Sequence, residues 1–254
     1  MRLPYKPEDA VRNAGEVFRK IFPEAQFCIA SGSIVTGHAT HFSDLDLVVI
    51  YRHVDAAYRQ SLLYQDMPVE AFVHDYETVQ AFIDEDYENS HESLLDMIAT
   101  GVVVPCPHQD AEKLQKYARD KLLAGPPDTP RNKLDTLRYF ITDLIDDLRG
   151  DRPQEERCAI LYKLYPKIGE LLLRQKRCFV AEGKHLARQL KRLYPDEFPL
   201  LEGVMRAGHS GEFSAKHIGD LEKIVRSYGG LLFDGYEQKA PADKRKSPQW
   251  MTGN

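Results

Sequence analysis

Two carboxylates sit inside the most strand-prone run of the chain. Ser43-Asp44-Leu45-Asp46-Leu47-Val48-Val49-Ile50-Tyr51 is rich in aliphatic and β-branched residues and reads as a strand. On a strand, residues i and i+2 share a face, so Asp44 and Asp46 leave the sheet side by side. Adjacent like charges repel and lose hydration when buried, and they are expensive there unless a cation neutralises them. Mg²⁺ suits the role, because it is hard, takes oxygen ligands and joins a few carboxylates to substrate phosphates. A third acid, Glu70, lies between Val69 and Ala71 in Met67-Pro68-Val69-Glu70-Ala71-Phe72-Val73, a further predicted strand with its proline at the start. Glu70 beside the Asp pair completes a two-ion site. One strand-end Asp commonly caps a turn, but three acids inside apolar strands do not fit that role.

The surrounding pattern predicts mixed structure up to about residue 110. Pro7 to Phe22 has Val11, Ala14, Phe18 and Ile21 on one helical face. Phe27 to Ala30 reads as a buried strand, followed by a break at Ser31-Gly32-Ser33 and a short helix or turn from Ile34 to Gly37. Asp55 to Leu63, Glu77 to Ile83 and Ser90 to Thr100 read as helices, and Val102 to Val104 as an edge strand. Beyond this the pattern is helical: Ala111 to Leu123, a long helix opening after the breaker Ala124-Gly125-Pro126-Pro127-Asp128-Thr129-Pro130 and running to Arg149, and Gln154 to Arg177 with a kink or break expected at Pro166. Three more helices span residues 183–194, 195–207 and 214–228. The expected fold is therefore α+β: an N-terminal mixed sheet with flanking helices (1–110), an all-α bundle (111–239) and a disordered tail (240–254) carrying Lys244-Arg245-Lys246.

Charge divides along the same line. Residues 1–110 carry 7 basic and 18 acidic groups, whereas residues 111–254 carry 27 and 21. An acidic half suits divalent cations and a basic half suits phosphate. No single basic stripe stands out, which argues against nucleic acid as a partner. Apolar runs are far shorter than the ~20 residues a bilayer span needs. The first 24 residues lack an apolar signal core, and the four cysteines have neither metal-ligand nor disulfide spacing. A reduced cytoplasmic chain is expected, and a homodimer is left open.

Gly32-Ser33 follows an apolar strand directly, where backbone N–H groups at a helix start favour phosphate. Taken together, Gly32-Ser33, then Ser43-Asp44-Leu45-Asp46-Leu47-Val48-Val49, then Val69-Glu70-Ala71 resemble the polymerase-β-type nucleotidyltransferase superfamily. By layout the nearest members are small bacterial nucleotidyltransferases, antibiotic adenylyltransferases included, with a helical domain after the catalytic one. Ser93 to Val104 is similar to the helix-then-strand that closes this domain. Gly183-Lys184-His185-Leu186 with Arg188 resembles a Gly-Lys-Trp-Leu stretch of some relatives, with His185 in place of Trp.

The resemblance implies transfer of a nucleoside monophosphate from ATP or another nucleoside triphosphate to an acceptor hydroxyl, a small molecule by preference, with release of pyrophosphate. Asp44 and Asp46 would hold two Mg²⁺ ions, and Glu70 would ligate the acceptor-side ion and receive the proton. Gly32, Ser33 and Ser43 would hold phosphates. Arg52 and Arg59 are expected at the far end of the Asp strand and on a surface helix, out of reach of the triphosphate. Lys184 and Arg188 are therefore the expected clamp, in a cleft between the two halves. The alternatives are a protein or RNA acceptor, as in antitoxin-like members, and a nucleotide-binding module without catalysis. His38 and His41 read as exposed loop residues. Asp84-Glu85-Asp86-Tyr87-Glu88 with Glu92 reads as a solvated helix junction rather than the lining of a cationic acceptor site. Tyr162 and Tyr165 read as core.

Overall fold

The structure, a computed structural model, describes residues 7–241 and 244–245. It is an α+β chain with a five-stranded mixed sheet and a helical C-terminal part. It divides into two compact units, residues 1–128 with 177–181 and residues 129–176 with 182–254.

In the first unit, α1 (Pro7–Ile21) precedes β1 (Phe27–Ser31), the single-turn α2 (Gly32–Val35), β2 (Leu45–Ile50), β3 (Tyr58–Tyr64) and β4 (Met67–His74). Helices α3 (Tyr76–Glu88) and α4 (Ser93–Thr100), β5 (Val102–Val104) and α5 (Gln109–Ala124) complete it. The sheet order is β3-β4-β2-β1-β5. β2 and β4 run parallel at the centre, and every other pairing is antiparallel.

The alternation of side chains builds two apolar layers. Leu45, Leu47, Val49, Val69, Ala71 and Val73 pack with α1 and α2 on one face. Phe27, Ile29, Val48 and Ile50 pack with α3, α4 and α5 on the other. Gly101 is required where α4 turns into β5: a Cβ there would lie 2.4 Å from Ile29 Cγ2 and 2.8 Å from the Ala30 carbonyl. Any side chain would push this turn off β1.

Three expectations are corrected in this unit. Residues 55–63 are not a helix; Tyr58 to Tyr64 form the edge strand β3. It turns into β4 through Gln65 and Asp66, both left-handed at φ 47° and 64°, as a two-residue hairpin with a right-handed strand twist demands. Asp44 lies just before β2 rather than within it. The first unit also extends to Asp128, not to about 110. The reason is α5: Ala111 and Ala118 are buried against the sheet layer, and Gln115 donates to the carbonyls of Ile98 (3.1 Å) and Gly101 (2.8 Å), tying α5 to the end of α4. Residues 177–181 rejoin this unit, where the Val180 N–H donates to the Ser90 carbonyl at 2.7 Å and Phe179 enters the helical layer.

The second unit holds α6 (Arg131–Arg149), α7 (Gln154–Gln175), α8 (Gly183–Leu193), α9 (Glu197–Ser210) and α10 (Ala215–Arg226). α7 is a single helix with Pro166 inside it, not the two pieces that a break there would make. Its core draws on Ile141, Ile145, Leu164, Ile168, Leu190, Val204 and Leu221, all buried. No described helix is long and apolar enough to cross a membrane. The tail expected at 240–254 lies mostly outside the described residues.

Candidate functional site

Sheet register brings the acids together. Asp46 on β2 is level with Glu70 on β4, with Ser31 on β1 to one side, and Ser61 on β3 is level with Glu70 on the other. Asp46 is the one residue of β2 that is not fully buried. It shares its face with Val48 and Ile50 and stands one step beyond them, where the covering helices' apolar contacts end. Glu70 shares its face with Phe72 by the same alternation. Asp44, although outside the strand, reaches the same place. Asp44, Asp46 and Glu70 each offer a carboxylate oxygen within 4.8 Å of the others, and all three are half-buried.

The segment from β1 to β2 forms the wall of this cluster. Gly32 has φ +84°, and a Cβ there would lie 2.0 Å from Asp46 Oδ2. Only a bare backbone allows the Asp46 carboxylate to stand where it does. Ser33 does not project freely; its hydroxyl donates to Ser43 Oγ at 3.0 Å. Ser43 Oγ in turn accepts the Thr40 N–H at 2.9 Å, and the Ser43 N–H donates to the Thr40 carbonyl at 3.2 Å. Ser33 and Ser43 thus pin the loop that delivers Asp44 to the strand. Gly32, Ser33, Ser43, Asp44, Asp46 and Glu70 are brought together as the sequence expects.

Arg59 is the residue that the sequence reading missed. Because residues 58–64 are a strand and not a helix, Arg59 stands beside β4, where it forms an ion pair with Glu70. Its guanidinium also lies over the Phe72 ring, 5.1 Å from the centroid. The Glu70 hydrogen bond, then the Glu70, Asp46 and Asp44 charges, raise the Arg59 pKa, with burial opposing them. Lys184 and Arg188 lie in the second unit, both exposed on α8.

The remaining candidates have local roles. His38 and His41 are exposed. Asp84 accepts the Tyr117 hydroxyl at 2.6 Å and Lys121 at 2.9 Å; burial opposes its ionisation, yet these two partners hold its pKa below the ordinary value. Asp86 accepts the Leu94 N–H at 3.3 Å at the start of α4. Tyr165 is half-buried, while Tyr162 is exposed and pairs with His209 Nε2 at 2.9 Å rather than entering the core.

Three half-buried carboxylates with converging oxygens, one of them set against a side-chain-free backbone, make a hard, all-oxygen donor set that fits Mg²⁺. No protein-family model matches the chain, and no curated protein does. Among solved structures it is similar to a nucleotidyltransferase-like protein from Exiguobacterium sibiricum 255-15, at 14% identity and a TM-score of 0.45, over 85% of this chain and 74% of that one. A likeness this distant carries no argument, so the functional reading rests on the site.

Proposed function

We propose that the chain is a Mg²⁺-dependent nucleotidyltransferase. It would move a nucleoside monophosphate, AMP by preference, from the triphosphate to the hydroxyl of a small acceptor and release pyrophosphate. The observation that carries the reading is the convergence of Asp44, Asp46 and Glu70 at one end of the sheet face, against Gly32.

Asp44 and Asp46 would hold both ions, and Glu70 would ligate the ion on the acceptor side. Bound there, Mg²⁺ supplies charge neutralisation for the triphosphate and a lowered pKa for the acceptor hydroxyl. Glu70 orients that hydroxyl and takes its proton as the oxygen bonds to the α-phosphorus and the bond to pyrophosphate breaks. The Gly32–Ser33 backbone N–H groups bind phosphate oxygens, and the Ser33–Ser43 and Thr40–Ser43 bonds keep this segment in place. Lys184 and Arg188 belong to the same proposal as the cations that hold the triphosphate.

Mass spectrometry of the protein with ATP, Mg²⁺ and a panel of hydroxylated acceptors tests it. A mass gain of one nucleoside monophosphate on a small acceptor, absent with Asp46→Asn, is the expected result. A gain on a protein or RNA would move the acceptor class. No transfer to any acceptor, with no pyrophosphate released, would leave a binding module.

A further inference from the structure

We infer that Arg59 is a built-in counter-cation that holds Glu70 until a divalent ion displaces it, and so sets the affinity of the ion on the Glu70 side. The inference rests on reading Asp44, Asp46 and Glu70 as a cation site.

Glu70 is bridged by Arg59 through Oε2. Its other oxygen, Oε1, has the Ser61 hydroxyl at 3.5 Å. Both Glu70 oxygens are therefore engaged from β3, the edge strand. The Glu70 side chain is only 17% exposed, so it is costly to leave unpaired, whereas the Arg59 side chain is 61% exposed and free to swing outward. Phe72 lies under the guanidinium and gives it a second, weaker resting contact on the same face. A divalent ion held by Asp44 and Asp46 alone leaves this pair intact. An ion that also takes Glu70 must compete with a fixed positive charge and break the Arg59 contact.

An ion on the Glu70 side therefore enters at the expense of the Arg59 contact.

Mn²⁺ binding to the full chain, followed by electron paramagnetic resonance without nucleotide, reads this without any need for turnover. Arg59→Gln should tighten the weaker Mn²⁺ site roughly five-fold, the scale of one partly exposed ion pair. Arg59→Lys, which keeps the charge but not the planar fork, should fall between Arg59→Gln and wild type. Phe72→Leu, which keeps Arg59 but removes the ring beneath it, changes no charge and should shift the weaker site by no more than roughly two-fold. Unchanged or weaker Mn²⁺ binding in Arg59→Gln, with the wild type binding normally, overturns the Arg59 proposal and leaves the cation site standing. Absence of Mn²⁺ binding in both proteins overturns the cation site itself and the Arg59 proposal with it.

Discussion

Replacing Gly32 with alanine attacks the site through one methyl group. The backbone there has φ +84°, and the new Cβ would stand 2.0 Å from Asp46 Oδ2, 3.0 Å from its Cγ and 3.3 Å from its Cβ. The left-handed conformation alone costs an L-residue about 1–2 kcal/mol. The Asp46 carboxylate must then rotate away, at about 0.5–1.5 kcal/mol for an off-rotamer side chain. The sum is about 2–3 kcal/mol, a fall of roughly 5–10 °C in melting temperature for a unit of this size. Gly183→Ala is the control: its φ is +51° with open space around the new Cβ, so only the backbone term applies. Thermal unfolding followed by circular dichroism compares the two variants, and Mn²⁺ titration reads the site. Gly32→Ala should melt lower than Gly183→Ala and should bind Mn²⁺ weakly, because Asp46 no longer converges with Asp44 and Glu70. Equal melting temperatures and wild-type Mn²⁺ affinity would refute the reasoning.

Further outcomes follow from the same structure. Asp46→Asn should leave the fold intact and raise thermal stability slightly, since a repelling half-buried charge is removed; a lower melting temperature would count against this. Glu70→Gln should lower kcat far more than it weakens triphosphate binding, which steady-state kinetics separates. Asp75 caps α3 by accepting the Thr78 N–H at 2.9 Å and also accepts the Val54 N–H at 3.1 Å, so Asp75→Ala should cost about 1 kcal/mol in urea unfolding. The Thr78 backbone bond, ahead of its hydroxyl and Val54, brings the Asp75 carboxyl down to about 2 against burial. Its stabilisation is present above the ordinary carboxylate range and is lost as pH falls towards that value. His74 is buried with Nδ1 unpartnered, and burial lowers its pKa. The unfolded chain therefore takes up a proton that the folded chain refuses, and stability falls as pH drops below about 6.5. His74→Leu should flatten that part of the pH–stability curve.

What was legible in the sequence is what apolar periodicity encodes. β1 and β2 carry near-continuous apolar runs because both faces are covered, β4 alternates buried and half-buried residues, and α1 shows a clear one-sided stripe. The acid trio was readable because carboxylates within such runs have few structural uses. β3 was not readable. Its residues alternate between exposed and half-covered positions on an edge strand, and its Gln65-Asp66 turn lacks the glycine that normally marks a two-residue hairpin. Arg59 was lost with it, since its meeting with Glu70 depends wholly on that hairpin's register. Had Tyr58 to Tyr64 been paired with β4 around the two-residue turn, Ser61 would have faced Glu70 and Arg59 would have stood on the same side. The extent of the first unit was hidden for another reason: the fully buried residues of α5 are the small Ala111 and Ala118, while the larger Leu114, Tyr117 and Leu122 that pack on the same layer are only partly buried.

The central claim is that Asp44, Asp46 and Glu70 hold divalent ions for a nucleoside triphosphate, and calorimetric titration tests it most directly. A nonhydrolysable ATP analogue is titrated into the wild type, Asp44→Asn and Asp46→Asn, each with Mg²⁺ and with chelator. The account predicts binding by the wild type that requires Mg²⁺ and weakens at least ~10-fold, about 1.4 kcal/mol, in either variant. Binding of equal strength in all three proteins, or binding indifferent to Mg²⁺, would contradict it.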